Sequence, residues 1–225
     1  MPGRALRLAA NGMDYLPSGA SAPKQDRSRK TLEAILKATR YLIERKDFSA
    51  ISISDIVERS GTSNGSFYAR FPDKVSLLVA LQLASHRQIV EELELALAPE
   101  KWADHDLRRT IEGMIPVLMQ VPDKHLEVFK AAMVQSLQNP ELAGNVDEIT
   151  RRKIALSAGL VLSKKAELAA DDAERLAFLG ARTVELLLQQ RRVRMFRRKP
   201  RERIYEEQFH SELAEIYLRI LGYAL

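Results

Sequence analysis

The fold class expected from the sequence is all-α, and three observations carry that expectation. From residue 26 onward every apolar repeat has a spacing near 3.6 residues. No stretch alternates apolar and polar residues over the length of a strand, so no strand is expected. Breakers at Gly61, Pro72, Pro99, Pro122, Asn139-Pro140, residues 169–172 and Lys199-Pro200 cut the periodic sequence into pieces of ordinary helix length. The result is about nine helices, three short ones in an N-terminal head and six mostly longer ones in a body. No repeat period points to a solenoid.

Composition narrows the class further. The chain has 225 residues, 46% hydrophobic and 29% charged, ordinary values for a folded globular protein and wrong for disordered or collagen-like sequence. With no cysteine, disulfides, thiolate nucleophiles and thiolate metal sites are excluded. No stretch approaches the ~18 apolar residues of a membrane span, and the apolar stretch near the N-terminus is shorter than a signal-peptide core, so a soluble cytoplasmic protein is expected. The charge is uneven. Residues 1–80 hold thirteen Lys/Arg against eight Asp/Glu, whereas residues 81–225 hold twenty-two of each. A basic segment joined to a neutral one suits a polyanion-binding module attached to something with another task.

Element by element, residues 1–25 mix Gly, Pro and small polar residues without period and are expected to form a mobile tail. Leu32, Ile35, Leu36, Thr39, Leu42 and Ile43 then fall on one stripe, with Arg29, Lys30, Lys37, Arg40 and Arg45 mostly off it, which predicts an amphipathic helix from Asp26. Ser52 and Asp55 stand three apart before Ile56 and Val57 and predict a capping box opening a second, short helix. Gly61 suits the left-handed residue that ends it. Ser63 is placed to cap a third helix running through Arg70, which Pro72 closes. Six further helices are expected at about 73–97, 104–120, 124–138, 141–167, 171–193 and 201–222. The domain reading is a tail over 1–25, a head over 26–80 and a helical body over 81–225.

The stretch from Ser52 to Arg70 has the anatomy of a helix-turn-helix: a capped helix, a tight glycine turn and a second short helix. That second helix opens with Ser63, Asn64, Gly65 and Ser66, small or hydrogen-bonding residues at the end whose free amides and dipole favour phosphate. Phe67 and Phe71 lie four apart and are expected in the core, while Tyr68 and Arg70 lie off that stripe and can reach phosphate or base edges. The run from Phe48 to Leu77 resembles the N-terminal signature of the TetR family of bacterial transcriptional regulators. The resemblance rests on the aromatic Phe48, Asp55-Ile56, Ser60-Gly61, Ser63 with Gly65, Phe67-Tyr68, Phe71, and Lys74 followed by Leu77. Asp47, Ile51, Thr62 and Ala69-Arg70 depart from the usual pattern and bear on which DNA sequence is read, not on the fold.

The resemblance implies a three-helix DNA-binding head, a helical body that holds a small ligand, and a homodimer on a palindromic operator that the ligand releases. The candidate DNA-contacting residues are Ser52, Ser54, Ser63, Asn64, Gly65, Ser66, Tyr68, Arg70 and Lys74. The last two helices are implied to form the dimer seam, for which Leu187, Leu188, Leu213, Ile216, Tyr217 and Ile220 supply apolar surface. A pocket for an apolar ligand is sought at Trp102, Met114, Met119, His125, Phe129 and Met133. No cofactor, metal or membrane partner is expected.

Rival readings fare worse. Gly61-Thr-Ser-Asn-Gly65 matches the G-x-S-x-G elbow of serine hydrolases, but that elbow needs a preceding strand and an α/β sheet, so no enzyme is expected. His86, His105, His125 and His210 share no metal-ligand spacing. The basic residues Arg191, Arg192 and Arg194, then Arg197, Arg198, Lys199, Arg201 and Arg203, read as cations that complement a helix C-terminus and solvate the loop before Pro200. The alternative function is a helical scaffold or adaptor that has lost DNA binding, against which Tyr68, Arg70 and Lys74 argue.

Overall fold

The computed structural model describes residues 26–168, 172–195 and 206–223. The expected tail over 1–25 and the basic residues Arg197, Arg198, Lys199, Arg201 and Arg203 lie outside the described residues. Among those described there are nine α-helices and no strand: α1 (Asp26–Ile43), α2 (Ile53–Ser60), α3 (Asn64–Tyr68), α4 (Lys74–Ala96), α5 (Leu107–Asp123), α6 (Leu126–Ser136), α7 (Pro140–Leu162), α8 (Ala173–Met195) and α9 (Glu206–Ile220). Short 3₁₀ turns stand at Phe48–Ala50, Pro99–Trp102 and Lys165–Glu167. No helix of the described residues is long and apolar enough to cross a membrane.

The fold divides into two compact units. One lies within Met1–Ser85 and takes in Glu127–Leu142; the other comprises His86–Leu126 and Ala143–Leu225. The first unit therefore extends past residue 80 and includes most of α6, which the sequence reading assigns to the body.

In the first unit the α1 stripe is buried as its spacing requires. Leu32, Ile35 and Ile43 meet Ile56 of α2, Phe67 of α3 and Leu77, Leu78 and Leu81 of α4 in one core, completed by Val128, Ala131 and Ala132 of α6. Thr39 sits in that stripe at no solvent cost, because its hydroxyl donates to the Ile35 carbonyl at 2.8 Å. Burying side chains of this size contributes about 1.5–3 kcal/mol each relative to exposure, which is what holds the short helices α2 and α3, neither of which would persist alone.

The second unit has a larger apolar core. Ile111, Ile115 and Leu118 of α5 pack with Leu160 and Val161 of α7, Ala181, Val184 and Leu188 of α8, and Leu213, Tyr217 and Leu221 at the C-terminal end. Helices α8 and α9 approach closely at Gly180, where a side chain would stand inside the ring of Tyr217. The Tyr217 hydroxyl donates to the Ala177 carbonyl at 2.7 Å, so its polar end is satisfied in the core.

Several expectations are corrected here. Pro122 does not end its helix early: α5 carries both Pro116 and Pro122 and runs to Asp123. Helix α7 stops at Leu162, short of 167, and a 3₁₀ turn follows. Leu188, Leu213 and Tyr217, expected at a seam between two copies, are wholly buried inside one chain, because the stripes of α8 and α9 cover each other. Leu187, Ile216 and Ile220 are half-buried. The residues named for a pocket fall in both units. Met114 and Met119 are core residues, Trp102 is half-buried with its indole N–H given to Ala96, and His125 is buried, all in the second unit, whereas Phe129 and Met133 belong to the first. Arg192 is not a solvating cation of the last turn of α8: it is 3% exposed and paired with Glu185.

Candidate nucleic-acid interface

Local chemistry builds this site. The side chain of Ser52 accepts from the Asp55 amide at 3.0 Å while the Asp55 carboxylate accepts from the Ser52 amide at 2.8 Å, the expected capping box at the start of α2. The same carboxylate oxygen also accepts from Lys46 Nζ at 2.8 Å. That bond first, then those from Ser52, holds the Asp55 carboxyl down to about 2. Gly61 ends α2 with φ of 64°, the left-handed conformation that turns the chain toward α3. Ser60 and Thr62 share a hydrogen bond of 2.7 Å across that turn.

Ser63 caps α3 by accepting from the Ser66 amide at 3.1 Å. The first amides of α3, those of Asn64 and Gly65, have no acceptor within the helix, and they lie beside the exposed side chains of Ser63 and Asn64. At Gly65 a side chain would meet nothing closer than the Ser63 hydroxyl at 3.9 Å, so the fold does not need glycine there. What glycine leaves is backbone open to a close-fitting outside surface. Phe67 and Phe71 are fully buried with ring centroids 5.7 Å apart, and they anchor α3 from below. Tyr68, 56% exposed, stands on the outer side with its edge against Phe67.

Seven of the nine candidates form one sequence-local set on the α2 and α3 starts and the outer side of α3: Ser52, Ser54, Ser63, Asn64, Gly65, Ser66 and Tyr68. All but Ser66 are exposed, and Ser66 is half-buried. The other two have different tasks. The Arg70 guanidinium donates to the Ser66 carbonyl at 2.7 Å and to the carbonyl and hydroxyl of Ser28 at 3.2 and 2.9 Å, clasping the end of α3 to α1. Lys74 Nζ donates to the carbonyls of Phe48, Ser49 and Ile51 at 2.9, 3.3 and 2.8 Å and lies over the Phe48 ring. Burial lowers its pKa. Its charge is spent on closing the loop between α1 and α2.

Sequence reasoning missed the partners of these two cations. Ser28 is 42 residues from Arg70, and no local pattern pairs them. It also missed Tyr41, whose ring carries the guanidinium groups of Arg45 and Arg59 at 3.4 and 3.7 Å from its centroid. Among the described residues Arg29, Lys30, Lys37, Arg45 and Arg59 are exposed cations of this unit, interspersed with exposed carboxylates at Glu33, Glu44, Asp47, Glu58 and Asp73.

Residues 35–81 match the family model of bacterial regulatory proteins of the tetR family, a match that spans the helix-turn-helix just described. EthR of Mycobacterium tuberculosis, a helix-turn-helix transcriptional regulator, is 26% identical over 158 residues, which are 69% of this chain and 71% of EthR. YxbF of Bacillus subtilis, an uncharacterised regulator of the same type, is 28% identical over 97 residues, 43% of this chain and only 26% of YxbF's length. Solved structures share the fold. A candidate TetR-family regulator from Mesorhizobium loti superposes with a TM-score of 0.67 at 19% identity, over 87% of this chain and 98% of that one. A candidate transcriptional regulator from Saccharomonospora viridis, solved in complex with choline, gives 0.62 at 18% identity over 85% and 96%. With its capped helix-turn-helix over the residues that match the tetR-family model and its all-helical architecture, the chain is similar to TetR-family transcriptional regulators and shares their fold.

Proposed function

We propose that this protein is a cytoplasmic transcriptional repressor that binds a palindromic operator as a homodimer and is released by a small molecule held in its body. One observation carries the DNA part: the exposed start of α3, with Ser63, Asn64, a glycine the fold does not need, and Tyr68. Asn64 is suited to a base edge, because its amide both donates and accepts, and Tyr68 to a phosphate oxygen.

The dimer part is supported by a set of residues that shares only Ile216 and Ile220 with the one the sequence suggests. Phe178, Leu179 and Leu186 are large apolar side chains exposed on α8, at 36, 43 and 59%, and their spacing puts them on one stripe of that helix. With the half-buried Ile216 and Ile220 of α9 they supply the apolar surface a second copy would cover. The ligand part is supported by the neighbour solved with choline, which demonstrates that a protein of this fold takes up a small molecule.

Selection of genomic fragments by the purified protein, followed by sequencing, tests this reading. The expected result is a small set of fragments sharing one inverted repeat, recovered by the wild type and not by Asn64→Ala/Tyr68→Ala. Recovery without any shared repeat, or equal recovery by the double variant, contradicts it.

A further inference from the structure

The second unit holds a group of charged side chains on stripes that are otherwise apolar. Lys153 follows Ile149 by one turn of α7, and Glu185 and Arg192 flank Leu188 on α8. None of the three side chains is more than 6% exposed. One oxygen, Glu185 Oε1, accepts from Lys153 Nζ, from Arg192 Nη2 at 2.8 Å and from Gln189 Nε2 at 3.2 Å, and Gln189 also donates to Thr150 at 2.8 Å. Beside them Arg191 Nη1 donates to Asp123 Oδ2 at 2.7 Å. His86 of α4 and His125 face the same place: burial first, then the charges of Lys153 and His125, hold the His86 imidazole neutral, its pKa down to about 3.

The charges do not balance. Among the described residues Arg191 pairs with Asp123, while Lys153 and Arg192 share the single carboxylate of Glu185, which leaves one cation in excess, and burial lowers the Lys153 pKa to about 8. A buried cation in excess is unfavourable, so an anion entering the cluster would be stabilised there. Its position is marked. Arg192 Nη1 is buried and has no hydrogen-bond partner among the described residues, although the other amino group of the same fork is bonded to Glu185. Guanidinium groups bind carboxylates through both arms, and here one arm is left for a second carboxylate.

We propose that this cluster binds the carboxylate head of an amphiphilic small molecule, with Arg192 Nη1 as donor, Lys153 as counter-charge, and Ile149, Val184 and Leu188 of the surrounding core against its hydrocarbon part. The proposal rests on the small-molecule part of the function above and sharpens it: the ligand is apolar along its length and anionic at one end. A quaternary ammonium would add a third cation and is disfavoured.

Titration calorimetry of the full chain, in the absence of DNA, tests this with three matched probes: decanoate, decanol and decyltrimethylammonium, each below its micelle concentration. Decanoate is expected to bind once per chain and at least about tenfold more tightly than decanol, with no binding by the ammonium. Arg192→Gln is expected to erase the preference for decanoate while leaving decanol unchanged. Because that variant alters a buried cluster, the wild type supplies a second readout. The carboxyl resonance of 1-¹³C-decanoate is expected to stay ionised when bound, at pH values where the free acid is protonated. Equal affinity for decanoate and decanol, no binding by any probe, or a bound carboxyl that titrates like the free acid overturns the site and leaves the cluster as a tie between α7 and α8. Saturation by chloride or acetate with decanoate's affinity overturns the amphiphile. Operator affinity is read separately: decanoate that binds yet leaves it unchanged counts against the regulatory reading and not against the site.

Discussion

The two units solve the same problem, holding helices together, by different means. In the first, geometry is set by polar side chains reaching backbone groups: Ser52 and Ser63 at helix starts, Gly61 at a helix end, Lys74 on three carbonyls and Arg70 on two more. In the second, it is set by long helices pressed together, as where Tyr217 lies against Gly180, and by a charge cluster sealed within. Hydrogen bonding of the first kind fixes the direction of an exposed helix start, which is what reading a surface requires. Packing of the second kind fixes long helices against one another through their apolar stripes.

Substitutions that remove one means from each unit sharpen this contrast. The largest effect is expected in the second unit. Tyr217→Ala deletes a fully buried aromatic ring and should cost about 3–5 kcal/mol in chemical denaturation. A loss under 1 kcal/mol would break the claim that α8 and α9 are held by packing. Next comes Lys74→Met in the first unit, which keeps the stem but strands three carbonyls. Allowing for its partial exposure, about 1–3 kcal/mol of stability should be lost. Gly61→Ala forces a side chain into the left-handed region and should cost about 1–2 kcal/mol. Ser52→Ala removes a cap at about 1 kcal/mol. The smallest effect is one of pH. The folded-state pKa of Asp55 lies below its ordinary value, so its contribution is complete above about pH 4 and is lost as pH falls toward about 2. Thermal melts of wild type and Asp55→Asn should therefore converge over that window, and curves that stay parallel would contradict it.

Partners three or four residues apart were legible. Ser52 with Asp55, Ser63 with Ser66, and Phe67 with Phe71 stand where the spacing puts them, because a helix fixes its own near neighbours. Partners brought together by the fold were not: Ser28 with Arg70, Phe48 with Lys74, Lys153 with Glu185. One signal was available for the last pair, since both charges sit on apolar stripes where a solvated residue has no place. The stripes of α8 and α9 posed a different difficulty. Periodicity identifies an apolar face but not whether it meets the same chain or another, so Leu213 and Tyr217 read as a seam and are core, while Phe178, Leu179 and Leu186 remain uncovered.

In the proposed function the exposed outer side of α3 meets DNA while Lys74 holds the head together from within. Fluorescence anisotropy with a selected operator fragment, repeated across a salt series, tests it directly. Tyr68→Ala is expected to weaken binding about tenfold or more at every salt concentration, whereas folded Lys74→Met is expected to keep the wild-type slope of log affinity against log salt. A slope lowered by about one in Lys74→Met, with Tyr68→Ala binding like wild type, would contradict it.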